Sequence, residues 1–143
     1  MFNKEIAYLL SEKLDMYFLD LPALIDYELI DKEEIVNKCG LEYFNKLETN
    51  VVENASTFEN TVIYISHDLF FSKGRHYFDK NLKIYLAFDK NYFEKNNTNI
   101  VDNLAFADRD KFLKKICNVK VELKNKNKQV AVSQILKKLK EVC

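Results

Sequence analysis

Glycine and proline are almost missing from this chain: among its 143 residues only Gly40, Gly74 and Pro22 belong to the two types that most readily bend or break a backbone. Glycine reaches left-handed conformations without penalty, and turn-dense all-β folds, flexible linkers and glycine-rich phosphate loops all consume it. A chain this poor in both types must be built from helices and a few strands, with Asn and Asp making most connections. The length suits one core, so residues 1–143 are expected to form a single α+β domain. Lys, Asn, Ile, Phe and Tyr are abundant, a composition expected of an AT-rich genome or mobile element.

Helical spacing dominates the first half. Ile6, Leu9, Leu10, Leu14, Tyr17 and Phe18 recur at steps of three and four, which predicts one helix face. Asp20 ahead of Leu21-Pro22 predicts an N-cap with proline in the first turn of a second helix. Asp31 followed by Glu34 has the spacing of a capping box, and Gly40 supplies a left-handed stop before another helical segment over 41–47.

The period then changes. Val62 to Ile65 is β-branched and aromatic. Leu82, Ile84, Leu86 and Phe88 alternate with Lys83, Tyr85, Ala87 and Asp89, which predicts a strand with those four apolar residues facing the core. Ser72-Lys73-Gly74-Arg75 reads as a hairpin turn, and residues 91–103 read as a surface loop. Asp108 is placed to cap a short helix through Phe112, Leu113 and Ile116. Val119, Val121 and Leu123 then alternate with Lys120, Glu122 and Lys124, and Val132, Ile135, Leu136, Leu139 and Val142 form a closing helical stripe. The expected fold has N-terminal helices and a central antiparallel sheet, with strands near 61–71, 75–79, 82–89 and 119–124. A C-terminal amphipathic helix should pack on that sheet.

Charge is distributed unevenly. Residues 1–60 carry 13 acidic and 5 basic side chains, a balance of −8, and residues 61–143 carry the compensating +8. The basic part is densest over 109–140, where eleven Lys/Arg face only Asp110 and Glu122. Such asymmetry marks either solvated faces that attract each other or an interaction surface.

Signals for chemistry are sparse. No segment is long and apolar enough to span a membrane, and the first residues lack the basic and apolar regions of a secretory signal. Cys39, Cys117 and Cys143 are too far apart for a zinc site or a disulfide framework, which fits reduced thiols in the cytoplasm. No metal, cofactor or catalytic residue is therefore expected. His67 and His76, with Arg75, flank the predicted hairpin. Across paired strands they would form an acid, a base and a phosphate-binding cation, the set a metal-independent ribonuclease uses. Residues 35–47 weakly resemble a helix-turn-helix, but Lys46 falls on its apolar side and Glu42 and Glu48 would meet phosphates.

The acidic half has another texture: tyrosines stand among carboxylates. Asp26, Tyr27, Glu28, Glu33, Glu34, Glu42 and Tyr43 combine large amphipathic contact area with charges that steer a basic partner. The expected function is thus a non-enzymatic cytoplasmic binding protein that neutralises a basic protein partner, in the manner of the immunity proteins that inhibit bacterial nuclease toxins. A monomer or weak self-association is expected, with neither nucleic acid nor membrane as partner. The alternative is a small nucleic-acid-binding or RNA-cleaving protein using His67, His76, Arg75 and the Lys-rich 109–140 region. A third reading is an adaptor subunit of a larger assembly.

Overall fold

The computed structural model describes residues 2–88, 100–124 and 127–142. Its contacts divide the chain into two compact units, Ala7–Asn81 and Leu82–Cys143 with Met1–Ile6.

The chain opens with α1 (Phe2–Leu14), which Asp15 ends by taking a left-handed conformation, φ 55°. That turn starts a strand, β1 (Tyr17–Asp20), where helical spacing predicts a continuing helix. Three helices follow, α2 (Leu21–Glu28), α3 (Lys32–Cys39) and α4 (Leu41–Ala55). Asp20 and Pro22 start α2 as expected, and Gly40 separates α3 from α4 at φ 91°. Asp31 precedes α3 without a side-chain cap, and Glu34 pairs with Lys38 at 2.6 Å, so the expected capping box does not form. Asn60, again left-handed at φ 53°, leads into β2 (Thr61–Tyr64), which lies parallel to β1. From His67 the backbone is helical again, through α5 (His67–Leu69), a π-helical turn over Phe70–Gly74 and α6 (Arg75–Tyr77).

This overturns the predicted hairpin. The strand expected over 61–71 stops at Tyr64, and 75–79 holds α6 in place of a returning strand. Gly74 is a buried point of close approach: a Cβ there would stand 2.6 Å from Ile65 Cδ1 and 3.3 Å from Phe70 Cδ2. The core of this unit joins Leu21, Ile25, Val51, Val52, Ala55 and Phe78. Lys73 ties the π-helical turn to α4 through Glu48 at 2.9 Å.

In the second unit β3 (Ile84–Phe88) pairs with β4 (Val119–Leu123), again in parallel. The crossover includes α7 (Ile100–Ile116), so part of the expected 91–103 loop is helical and the rest, 91–99, lies outside the described residues. β4 buries Val119, Val121 and Leu123 and exposes Lys120 and Glu122. The closing helix α8 (Lys128–Val142) packs against β4 and buries Ala131, Val132 and Ile135.

Two parallel pairs replace the expected antiparallel sheet. Parallel partners need a long crossover, and here each crossover carries helices. The predicted face of β3 is kept in part: Ile84 and Leu86 lie beside the buried Val119 and Val121, yet the opposite face is the more deeply buried one. Tyr85 and Ala87 are buried, Ile84 and Leu86 are half-buried, and Leu82, just ahead of the strand, is 48% exposed. Tyr85 meets Asp110 of α7, so that side of β3 is packed as well and the alternation expected of a half-wet strand is lost.

Burial sets a contrast that urea denaturation can read. Leu21→Ala empties a fully buried site and should lower stability by about 2–5 kcal/mol. Leu82→Ala, at an exposed site, should stay within about 0.5 kcal/mol of the parent chain. Equal losses at both positions would contradict this packing.

Candidate functional site

Register places Asp20 beside Tyr64, so the carboxyl ends of β1 and β2 leave their sheet at one edge. Ligands of open parallel sheets bind outside the carboxyl ends of the strands, which makes this edge the candidate site. Asp20 leaves β1 straight into α2, and its Oδ1 accepts from the Ala23 amide at 3.1 Å. β2 continues through Ile65 to Ser66, whose Oγ accepts from the Leu69 amide at 3.4 Å. His67 and Asp68 follow in the first helical turn, both exposed.

The edge therefore carries two carboxylates, an imidazole and a hydroxyl. This set can accept hydrogen bonds from a substrate hydroxyl and take up its proton. It is poor in donors for a phosphate. Pro22 has no amide hydrogen, and the Asp20 carboxylate already occupies the Ala23 amide. Among the described residues no group of three or more His, Cys, Asp or Glu side chains is arranged to hold a metal ion.

The residues singled out from sequence fall in three places. Asp26, Tyr27 and Glu28 sit on α2, Glu33 and Glu34 in the first turn of α3, and Glu42 and Tyr43 in the first turn of α4; all seven are exposed. His67 and His76 lie on one helical stretch, not on paired strands. Nine residues of helical rise separate them by roughly 13 Å, too far to act as acid and base on one phosphate. His76 packs edge-on against Tyr77 at 5.2 Å, and Arg75 is its exposed neighbour. The ribonuclease arrangement is thus not assembled. In the Lys-rich 109–140 region, Lys111, Lys115, Lys120, Lys124, Lys137 and Lys138 are exposed, whereas Lys128 is paired with Glu5.

Sequence spacing gave no sign of a polar cluster in the second unit. The buried Tyr85 hydroxyl donates to Asp110 Oδ1 at 2.8 Å, and Lys114 Nζ lies 3.0 Å from Asp110 Oδ2 and 3.4 Å from Glu122. Burial pushes the Tyr85 phenol well above its ordinary range, and the hydrogen bond to Asp110 adds to the shift. The same carboxylate raises Lys114. Burial also raises the Cys117 thiol, which keeps it protonated and unreactive near neutrality.

Against known proteins, the shikimate kinase family matches residues 4–140. The crystal structure of shikimate kinase from Aquifex aeolicus superposes with a TM-score of 0.70 at 19% identity, covering 94% of this chain and 88% of that one. No curated protein matches. The fold is therefore that of the shikimate kinases, helical with a small parallel sheet, which agrees with the parallel pairing described above. The family match overturns the expectation of a non-enzymatic immunity protein or toxin inhibitor: it indicates a kinase enzyme. It also displaces the ribonuclease alternative.

The Tyr85 cluster makes stability depend on alkaline pH. The folded chain keeps a phenolic proton that the unfolded chain releases near pH 10, so this contribution is intact below pH 10 and is lost as pH rises beyond it. Tyr85→Phe should flatten the decline of the melting temperature between roughly pH 9 and 11 relative to the parent chain. Parallel declines in the two proteins would show that Tyr85 does not carry the effect.

Proposed function

The chain belongs to the shikimate kinase family, and on that premise we propose that it acts in phosphoryl transfer to a hydroxyl of a small carboxylic acid of the shikimate type. The observation that carries this reading is the family match over nearly the whole chain. The carboxyl-end edge of β1 and β2 supports it with suitable side chains: Asp20 and Asp68 to hold acceptor hydroxyls, His67 to receive the proton released as a hydroxyl oxygen attacks phosphorus. A cytoplasmic setting, where nucleoside triphosphates are abundant, fits the same reading.

The donor side departs from what a P-loop kinase uses. G-x-x-x-x-G-K-[ST] cradles phosphates with backbone amides and a lysine, and neither Gly40 nor Gly74 stands in such a frame. Gly74 is followed by Arg75-His76 and lies buried within a helical stretch. Removing one preorganised donor from a transition state costs about 10²–10³ in rate, and here a whole cradle is missing. Slow transfer with weak nucleotide binding is the expected behaviour, while acceptor binding is spared.

Calorimetry with shikimate and a coupled assay for ADP release with Mg²⁺-ATP test the two halves separately. Saturable shikimate binding is expected, with shikimate-dependent ADP formation that falls at least tenfold in His67→Ala. Binding without transfer from any nucleoside triphosphate would remove the catalytic half of the reading. Absence of both would overturn it.

A further inference from the structure

Between residues 27 and 43 the first unit leaves four large apolar side chains in solvent: Tyr27 at 79% exposure, Ile30 at 77%, Leu41 and Tyr43. α3, in the middle of this surface, buries no residue at all. Exposed carboxylates surround the apolar groups, with Asp26, Glu28, Asp31, Glu33, Glu34 and Glu42 opposed only by Lys32 and Lys38. Beside α3 a shallow depression of about 460 Å³ is lined by Ile30, Asp31, Glu33, Glu34, Asn37 and Lys38. Aromatic and aliphatic side chains exposed among like charges are the composition of a surface that meets another protein.

The second unit carries a surface of opposite sign. Lys114 of α7 pairs with Glu122 on β4, and Lys138 of α8 donates to the Lys120 carbonyl, so both helices bring lysines to the edge of β4. Lys111, Lys115, Lys120, Lys137 and Lys138 are exposed there, and α8 adds the exposed apolar Val130 and Val142.

We propose that the chain associates head to tail with a second copy of itself, the acidic aromatic face of α2–α4 in one copy seated on the basic face of α7, β4 and α8 in the next. Charge complementarity selects this occupant. A chain with no net charge is divided into halves of −8 and +8, so each copy offers both the acidic surface and its complement. The depression beside α3, with Asp31, Glu33 and Glu34 on its rim, is chemically suited to a lysine side chain. Such a contact is heterologous, so each copy keeps one free face and the association can extend beyond a dimer. The attraction steers encounter and is screened by salt, while burial of Tyr27 and Ile30 slows dissociation. The inference is independent of the phosphoryl-transfer reading.

Sedimentation velocity on the full chain, from micromolar to several hundred micromolar, tests it. The weight-average mass is expected to rise with concentration at roughly 0.05 M salt and to return to the 16.9 kDa monomer near roughly 0.5 M. The paired reversals Glu33→Lys with Glu34→Lys, and Lys137→Glu with Lys138→Glu, lie at exposed sites. Each should leave a monomer with unchanged circular dichroism. Mixing the two reversed proteins should restore association, because the unaltered basic face of the first meets the unaltered acidic face of the second. Tyr27→Ser with Ile30→Ser should raise the dissociation constant at least tenfold while leaving its salt dependence intact. A constant monomer mass overturns self-association and leaves the acidic face to a different basic protein. Association that strengthens with salt, or that is not restored by mixing, overturns the head-to-tail contact.

Discussion

Parallel pairing, of β1 with β2 and of β3 with β4, is the constraint from which the rest of the architecture follows. Parallel neighbours cannot be joined by a tight turn, because the chain must travel back along the full strand before pairing again. The return from Asp20 to Thr61 is therefore long enough to hold α2, α3 and α4, and the return from Phe88 to Val119 holds α7. With the helices in the crossovers, both strand starts in the first unit need a sharp reversal just beforehand. Asp15 and Asn60 provide it in left-handed conformations, the role glycine fills in chains that have more of it. Pairing also brings Asp20 and the segment leading to Ser66 to one edge, which is why chemistry-bearing side chains gather there.

Much of the local structure was legible in the residues. Asp20 with Pro22 marks the start of α2, Gly40 the break between α3 and α4, and Val119, Val121 and Leu123 the buried face of β4. What stayed hidden was strand direction, since an isolated run of Val62-Ile63-Tyr64 looks the same in either orientation. β1 was concealed because Tyr17 and Phe18 fall at helical spacing from Leu10 and Leu14. The hairpin expected at Ser72–Arg75 failed for a related reason. Glycine near lysine and serine suggests a turn, whereas Gly74 serves to let a helix approach Ile65.

The candidate site was less legible than the fold. Asp20 showed in the sequence only as a helix cap, and His67 only as half of a histidine pair that the helix keeps apart. The family match spans residues 4–140, and the fold it shares with a solved shikimate kinase has only 19% of its residues in common. The glycine-lysine loop that would have announced phosphoryl transfer is not among these residues. Scarcity of glycine, which correctly excluded a turn-rich fold, thus pointed away from the enzyme family. Tyr85 and Asp110 are separated by 25 positions, and no helical or strand period links them.

The contact of Gly74 with Ile65 bears on how this sequence can drift. Any side chain at 74 would push into the methyl end of Ile65 and towards the rings of Phe70 and Phe78, while a smaller residue at 65 would open room there. The two positions share one volume, so the fitness of a change at either depends on what occupies the other. The Ile65 Cδ1 methyl is the free end of its side chain and can give way to a small group at 74, whereas a larger one calls for a smaller residue at 65. One ångström-scale approach thereby ties the range of residues tolerated at 74 to the size of the one at 65.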